Sequence, residues 1–166
     1  MGQLARGRSP AILKVTLGSC VGVAFVWRER ALFGMAHCLL PRAPEPLLEL
    51  GARYVDQAIM SLLRMLDARP EHHARIEAYL AGSGNMMRRD EAADRVPQLG
   101  QLNIEAALSM LRAQRIAVHA TDLGGVHARQ MRLNCATASV SVMRLPVIER
   151  DSAKETLIKS MHRGIE

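Results

Sequence analysis

Flat side chains are scarce in this sequence: one Trp, two Tyr and two Phe among 166 residues. A chain so poor in aromatics lacks the stacking platform that single-stranded nucleic acid requires. Its net charge of +6 is spread along the sequence and reads as a solvated surface. Long hydrophobic runs are missing as well. Glycine or charge interrupts every apolar stretch well short of the roughly 20 residues a membrane span needs. The opening residues, Met1-Gly2-Gln3-Leu4-Ala5-Arg6-Gly7-Arg8, contain no apolar h-region of a secretory signal. Cysteines number only three and are scattered, which fits reduced thiols better than a disulfide framework. These absences point to a cytoplasmic protein with no membrane insertion and no nucleic-acid partner. There is no internal repeat and no low-complexity block. The Gly82-Ser83-Gly84-Asn85 loop is not a phosphate loop, because no Lys-Ser/Thr pair follows its glycines.

What the chain does have is aliphatic bulk. Hydrophobic residues make up 49% of it, and Leu, Val, Ile, Ala and 10 Met must fill the interior of one domain. Residues 1–10 read as a basic, flexible lead, residues 11–146 as the folded domain, and 147–166 as a tail with weak helical spacing. Ala11–Thr16 suits a short strand. The prolines at 41, 44 and 46 enforce a loop. Val55, Ile59, Leu62, Leu63 and Leu66 recur at helical spacing within 51–68, and Leu102, Ile104, Leu108 and Leu111 do so within 101–114. Strands are expected at 74–81 and 116–123. A late hairpin pairs 131–135 with 139–145. The sum is an α+β or layered α/β domain, with helices covering a mostly antiparallel sheet.

The chemically suggestive stretch is Thr16-Leu17-Gly18-Ser19-Cys20 followed by Gly34-Met35-Ala36-His37-Cys38. Apolar runs on either side of Arg28-Glu29-Arg30 predict a hairpin, whose far ends bring Cys20 and His37 together. A thiol beside an imidazole is the minimum equipment for cysteine nucleophilic catalysis. A cysteine heading an apolar strand is also often a small buried hydrophobe, and that alternative stands beside the catalytic one. Zinc on Cys20, His37 and Cys38 is the weaker option, because neighbours on a strand point to opposite faces and no fourth ligand is apparent. Cys135 reads as core. His72, His73 and His162 read as surface, and His119 and His127 as polar positions flanking Gly124-Gly125.

Five ordered segments carry a family resemblance. Leu17-Gly18-Ser19-Cys20-Val21-Gly22-Val23, the Gly34–His37 run with Leu40-Pro41, and Ala81-Gly82-Ser83-Gly84-Asn85-Met86 are three of them. Gly100-Gln101-Leu102-Asn103-Ile104 and Asp122-Leu123-Gly124-Gly125 with Arg129 complete the set. Together they resemble CheD, the chemoreceptor glutamine deamidases. The resemblance implies an α+β fold, a layered α/β sandwich related to cysteine–histidine deamidase toxins. It implies hydrolysis of selected glutamine side chains on the cytoplasmic helices of methyl-accepting chemotaxis proteins, without metal or organic cofactor. In that pattern Cys20 matches the nucleophile and His37 the base, and some members bind a CheC-type phosphatase. The family threonine that helps orient the histidine falls at Lys14 here. Thr16, two residues on and therefore on the same strand face, is the substitute candidate. An N-terminal strand common in the family has no apolar counterpart in residues 1–10, which leaves a sheet edge open or covered in some other way. The alternative function is a catalytically weak CheD-like adaptor that binds receptor helices or the phosphatase.

Overall fold

The computed structural model describes residues 2–84 and 99–146. In chain order the strands are β1 (Leu4–Gly7), β2 (Ile12–Leu17), β3 (Val21–Trp27), β4 (Leu32–Cys38), β5 (Glu77–Gly82), β6 (Ala117–Leu123), β7 (Arg129–Asn134) and β8 (Ser139–Arg144). Helix α1 (Val55–Met65) follows β4, and α2 (Leu99–Ala113) precedes β6. A five-stranded sheet runs β1-β4-β3-β5-β6, and a three-stranded sheet runs β2-β7-β8. Only β5 and β6 are parallel neighbours; the other pairs are antiparallel. The result is the expected α+β sandwich in three layers: helices, large sheet, small sheet.

β3 explains the layering. All seven of its residues are buried, because both faces of this central strand are covered. Val21, Val23, Phe25 and Trp27 join the helix-side core with Ile59, Leu62 and Leu111. Ala24 and Val26 join a second core between the sheets, with Leu17, Met131 and Leu133. The outer strand β2 instead alternates, with Leu13, Val15 and Leu17 turned inward while Ile12, Lys14 and Thr16 are exposed. The expected hairpin is present, and Arg28–Arg30 forms a single 3-10 turn between β3 and β4.

The N-terminal residues differ from expectation. Leu4–Gly7 is not a flexible lead but the edge strand β1, paired antiparallel with β4 from Leu4↔Ala36 to Gly7↔Phe33. It supplies the edge strand that the sequence seemed to lack. Its short, basic sequence hid it, since edge pairing rests on backbone hydrogen bonds and not on an apolar run. Gly7 is required by close approach: a Cβ there would lie 2.6 Å from Cys135 Sγ and 3.3 Å from Leu13 Cδ1. Two smaller differences concern residues 70–76. A 3-10 helix over Pro70–Arg75 delays the strand expected from 74, and it buries His73, whose Nδ1 lies 2.9 Å from the Gln114 carbonyl oxygen. The tail at 147–166, with its weak helical spacing, falls outside the described residues.

Gly7→Val is expected to destabilise the protein by about 1–3 kcal/mol, the usual range for overpacking. Chemical denaturation would reveal this as a lowered midpoint with unchanged slope.

Candidate active site

β2 belongs to the small sheet and β3 to the large one, so the chain crosses between sheets in Gly18-Ser19-Cys20. Two backbone hydrogen bonds strap that crossing to the end of β5: Ser83 N–H to the Cys20 carbonyl at 2.7 Å, and Gly84 N–H to the Gly18 carbonyl at 2.8 Å. The approach is so close that a Cβ on Gly82 would sit 2.3 Å from the Cys20 carbonyl oxygen, and Gly82 has a φ of 106°. Ser83 itself is left-handed at φ 54°, and its buried hydroxyl has no partner among the described residues.

A second loop braces the first. Gly124 N–H donates to the Gly82 carbonyl at 2.9 Å. Buried Arg129 donates to Asp122 Oδ1 and to the His127 carbonyl, each at 2.9 Å, and also to the Gly124 carbonyl. Burial opposes ionisation of Asp122, but hydrogen bonds from Arg144 and Arg129 outweigh it and hold the carboxyl below its ordinary value. The Gly82 and Gly124 loops thus meet beside Cys20. On the far side, fully buried Asn103 donates from Nδ2 to the Leu39 carbonyl at 3.1 Å, fixing the chain just past β4.

His37 lies opposite Gly22 in the β3–β4 register, and Val21 pairs with Cys38, so Cys20 is one residue beyond the last pair. Cys20 and His37 therefore share one end of the sheet, as the hairpin predicted. His37 alternates with Cys38: Phe33 and Met35, on its face, pack between the sheets, whereas Cys38 enters the helix-side core. This opposition removes the geometry for zinc on Cys20, His37 and Cys38, and no group of three potential metal-ligating side chains occurs among the described residues. The His37 backbone is clamped by the N-terminal residues, donating to the Gln3 carbonyl at 3.0 Å and accepting from Gly2 N–H at 3.1 Å. Its buried Nε2 has no partner among the described residues, and no hydrogen bond joins it to Cys20.

Burial governs the charge state of both groups. It pushes the Cys20 thiol up, partly offset by a hydrogen bond with Ser19, and it lowers His37 from 6.5. At neutral pH the pair is a protonated thiol and a neutral imidazole, the starting state for general-base activation. Thr16 is exposed on the outer face of β2, opposite Gln130, and makes no hydrogen bond to His37 among the described residues. Lys14 lies on the same face, opposite Arg132. A cleft of about 430 Å³ opens between the edge strands β1 and β2, with Gln3, Lys14 and His37 among its lining residues. Gln3 escaped notice in the sequence because its segment read as a loose lead. Ser83 read only as part of a turn, although a serine between two glycines already marks an unusual backbone.

A half-buried cysteine at an inter-sheet crossing, with a histidine on the facing strand, defines a cysteine–histidine site in an α+β sandwich. The family model described as "CheD chemotactic sensory transduction" matches residues 39–144. The chain is 31% identical to "Probable chemoreceptor glutamine deamidase CheD 2" of Ruegeria sp. (strain TM1040), over 88% of this chain and 90% of the relative. It is 37% identical to "Probable chemoreceptor glutamine deamidase CheD" of Bdellovibrio bacteriovorus, over 88% and 92%. It is 28% identical to the protein of that name from Methanococcus vannielii, over 87% and 92%. The chain belongs to the CheD family. Among the described residues no helix is long and apolar enough to cross a membrane.

Alkylation of Cys20 by iodoacetamide, followed by peptide mass mapping, is expected to accelerate with pH to a midpoint above the ordinary thiol value of 9.0, because burial favours the neutral form. A midpoint below neutrality would instead reveal a preformed thiolate–imidazolium pair.

Proposed function

We propose that this protein is a cysteine-dependent protein-glutamine deamidase acting in the cytoplasm on the cytoplasmic helices of methyl-accepting chemotaxis receptors. The observation that carries the reading is the placement of Cys20, at a strapped crossing between sheets, at the same sheet end as the half-buried His37, whose Nε2 has no partner among the described residues. The relatives' names support the substrate class. In the proposed reaction His37 Nε2 takes the Cys20 proton and the thiolate adds to the amide carbon. Backbone N–H groups near Ser19 and Cys20 are the proposed donors to the oxyanion. The tetrahedral adduct collapses as the imidazolium returns its proton to the departing nitrogen, so ammonia leaves and a thioester remains. Water then adds while His37 accepts its proton, and C–S cleavage releases glutamate and regenerates the thiol. These steps use no metal and no organic cofactor. Thr16, exposed on the outer face, receives no chemical role in this scheme.

A second reading rests on the missing hydrogen bond between Cys20 and His37 and on lysine at position 14. It makes the protein a CheD-like adaptor with weak catalysis, bound to receptor helices or to a CheC-type phosphatase.

Mass spectrometry of receptor cytoplasmic fragments separates the two readings. Wild type is expected to add about 1 Da at individual glutamines, as NH₂ is replaced by OH. Cys20→Ala should lose at least about a thousand-fold in rate, and His37→Ala about 10²- to 10⁴-fold. No mass change at stoichiometric wild-type protein, with binding retained, would establish the adaptor. Since burial lowers His37, kcat/KM should fall on the acid side with a midpoint below 6.5.

A further inference from the structure

The surroundings of Lys14 point to a use for its charge. Lys14 is exposed on β2, and the residue directly across from it on β7 is Arg132, also exposed. Like charges facing each other across a strand pair are unfavourable. Neither residue forms an ion pair with an acid among the described residues. Lys14 also lines the 430 Å³ cleft that His37 borders. The cleft's other polar side chain is Gln3, and Leu13, Val15 and Met35 supply apolar wall. Among the described residues no Asp or Glu lines it. A cleft that is half apolar, bordered by the proposed base and charged only positively, complements a polypeptide segment bearing a carboxylate.

We infer that the cleft between β1 and β2 is a substrate-selecting subsite in which Lys14, backed by Arg132, receives the carboxylate of an acidic residue flanking the target glutamine. The inference rests on the deamidase reading for the identity of the glutamine, while the charge complementarity stands on the cleft alone. Lys14 stands six positions before Cys20, so at about 3.3 Å per residue their Cα atoms lie at most about 20 Å apart. On a helical substrate the acidic residue therefore falls within about four turns of the glutamine, at about 5.4 Å per turn. Lys14 here sets which glutamine is presented and takes no part in proton transfer.

The test measures binding without turnover. Full-length Cys20→Ala protein is titrated by fluorescence anisotropy into labelled helical peptides. Each peptide carries one glutamine flanked by glutamate, alanine or lysine. The glutamate peptide is expected to bind about fivefold tighter than the alanine peptide at low salt, with the difference shrinking as salt rises. Adding Lys14→Arg should preserve the order, and adding Lys14→Glu should reverse it in favour of the lysine peptide. Both substitutions fall on an exposed position, and circular dichroism confirms that the variants fold. Unchanged discrimination in Lys14→Glu, or none in the parent protein, would overturn the inference. The deamidase reading is tested separately by ammonia release from the same peptides with Cys20 restored. Charge discrimination without ammonia supports the subsite and removes the chemistry, whereas ammonia without charge discrimination does the reverse.

Discussion

The site depends on a three-residue passage. Between Leu17 and Val21 the chain must leave the small sheet and enter the middle of the large one. That is feasible only where backbone can touch backbone. Gly82 permits it, since any side chain there would collide with the Cys20 carbonyl. Gly22 permits it on the other side, where a Cβ would lie 2.7 Å from Leu17 Cδ1. The carbonyls of Gly18 and Cys20 are exchanged from solvent to the N–H groups of Gly84 and Ser83. A buried carbonyl without such a partner costs about 1–3 kcal/mol, so the two straps make the crossing tenable as well as fixed. Cys20 occupies the seam between sheets because the crossing is there, and His37 meets the seam because the pleat turns it to the inter-sheet face.

The same burial that packs the seam sets its chemistry. A thiol and an imidazole withdrawn from water both favour their neutral forms, which moves one value up and the other down. Neutral partners repel neither each other nor an incoming amide, and charge separates only when the proton moves. The loops around them are held by charge in the opposite sense. Arg129 is buried but carries an acid and two carbonyls on its guanidinium, which fix it in place. A fixed wall around a neutral thiol and a neutral imidazole suits the proposed chemistry, because little has to reorganise when charge develops.

Much of this was legible in the residues, and the failures have physical reasons. Helical spacing placed α1 and α2, and continuous apolar runs flanking three charges placed the β3–β4 hairpin. Strand β1 was hidden because its order comes from pairing with β4, and four residues containing Arg6 and Gly7 carry no periodic signal. His73 looked like a surface residue because nothing local indicates that the Gln114 carbonyl will meet it. Cys20 and His37 were legible as a pair because a hairpin converts sequence spacing into spatial neighbourhood. The straps to Ser83 and Gly84, more than sixty residues on, were visible only as a glycine loop of suggestive composition. Thr16 and Lys14 share a face, as the pleat requires, but that face is the outer one, which parity alone could not say.

The two edge strands turn these separate features into one surface. β1 and β2 are consecutive in the chain but lie in different sheets, and Gly7 lets Leu13 and Cys135 close the seam between them at one point. Beside Gln3, Lys14 and His37 the same seam stays open. β1 also clamps the His37 backbone through Gln3 and Gly2, so the strand that walls the cleft orients the proposed base. Any displacement of β1 would therefore alter substrate fit and histidine placement together. An edge strand ordinarily invites unwanted pairing. Here the exposed Lys14 discourages such pairing, and the same charge is the proposed receiver of a substrate carboxylate at that edge.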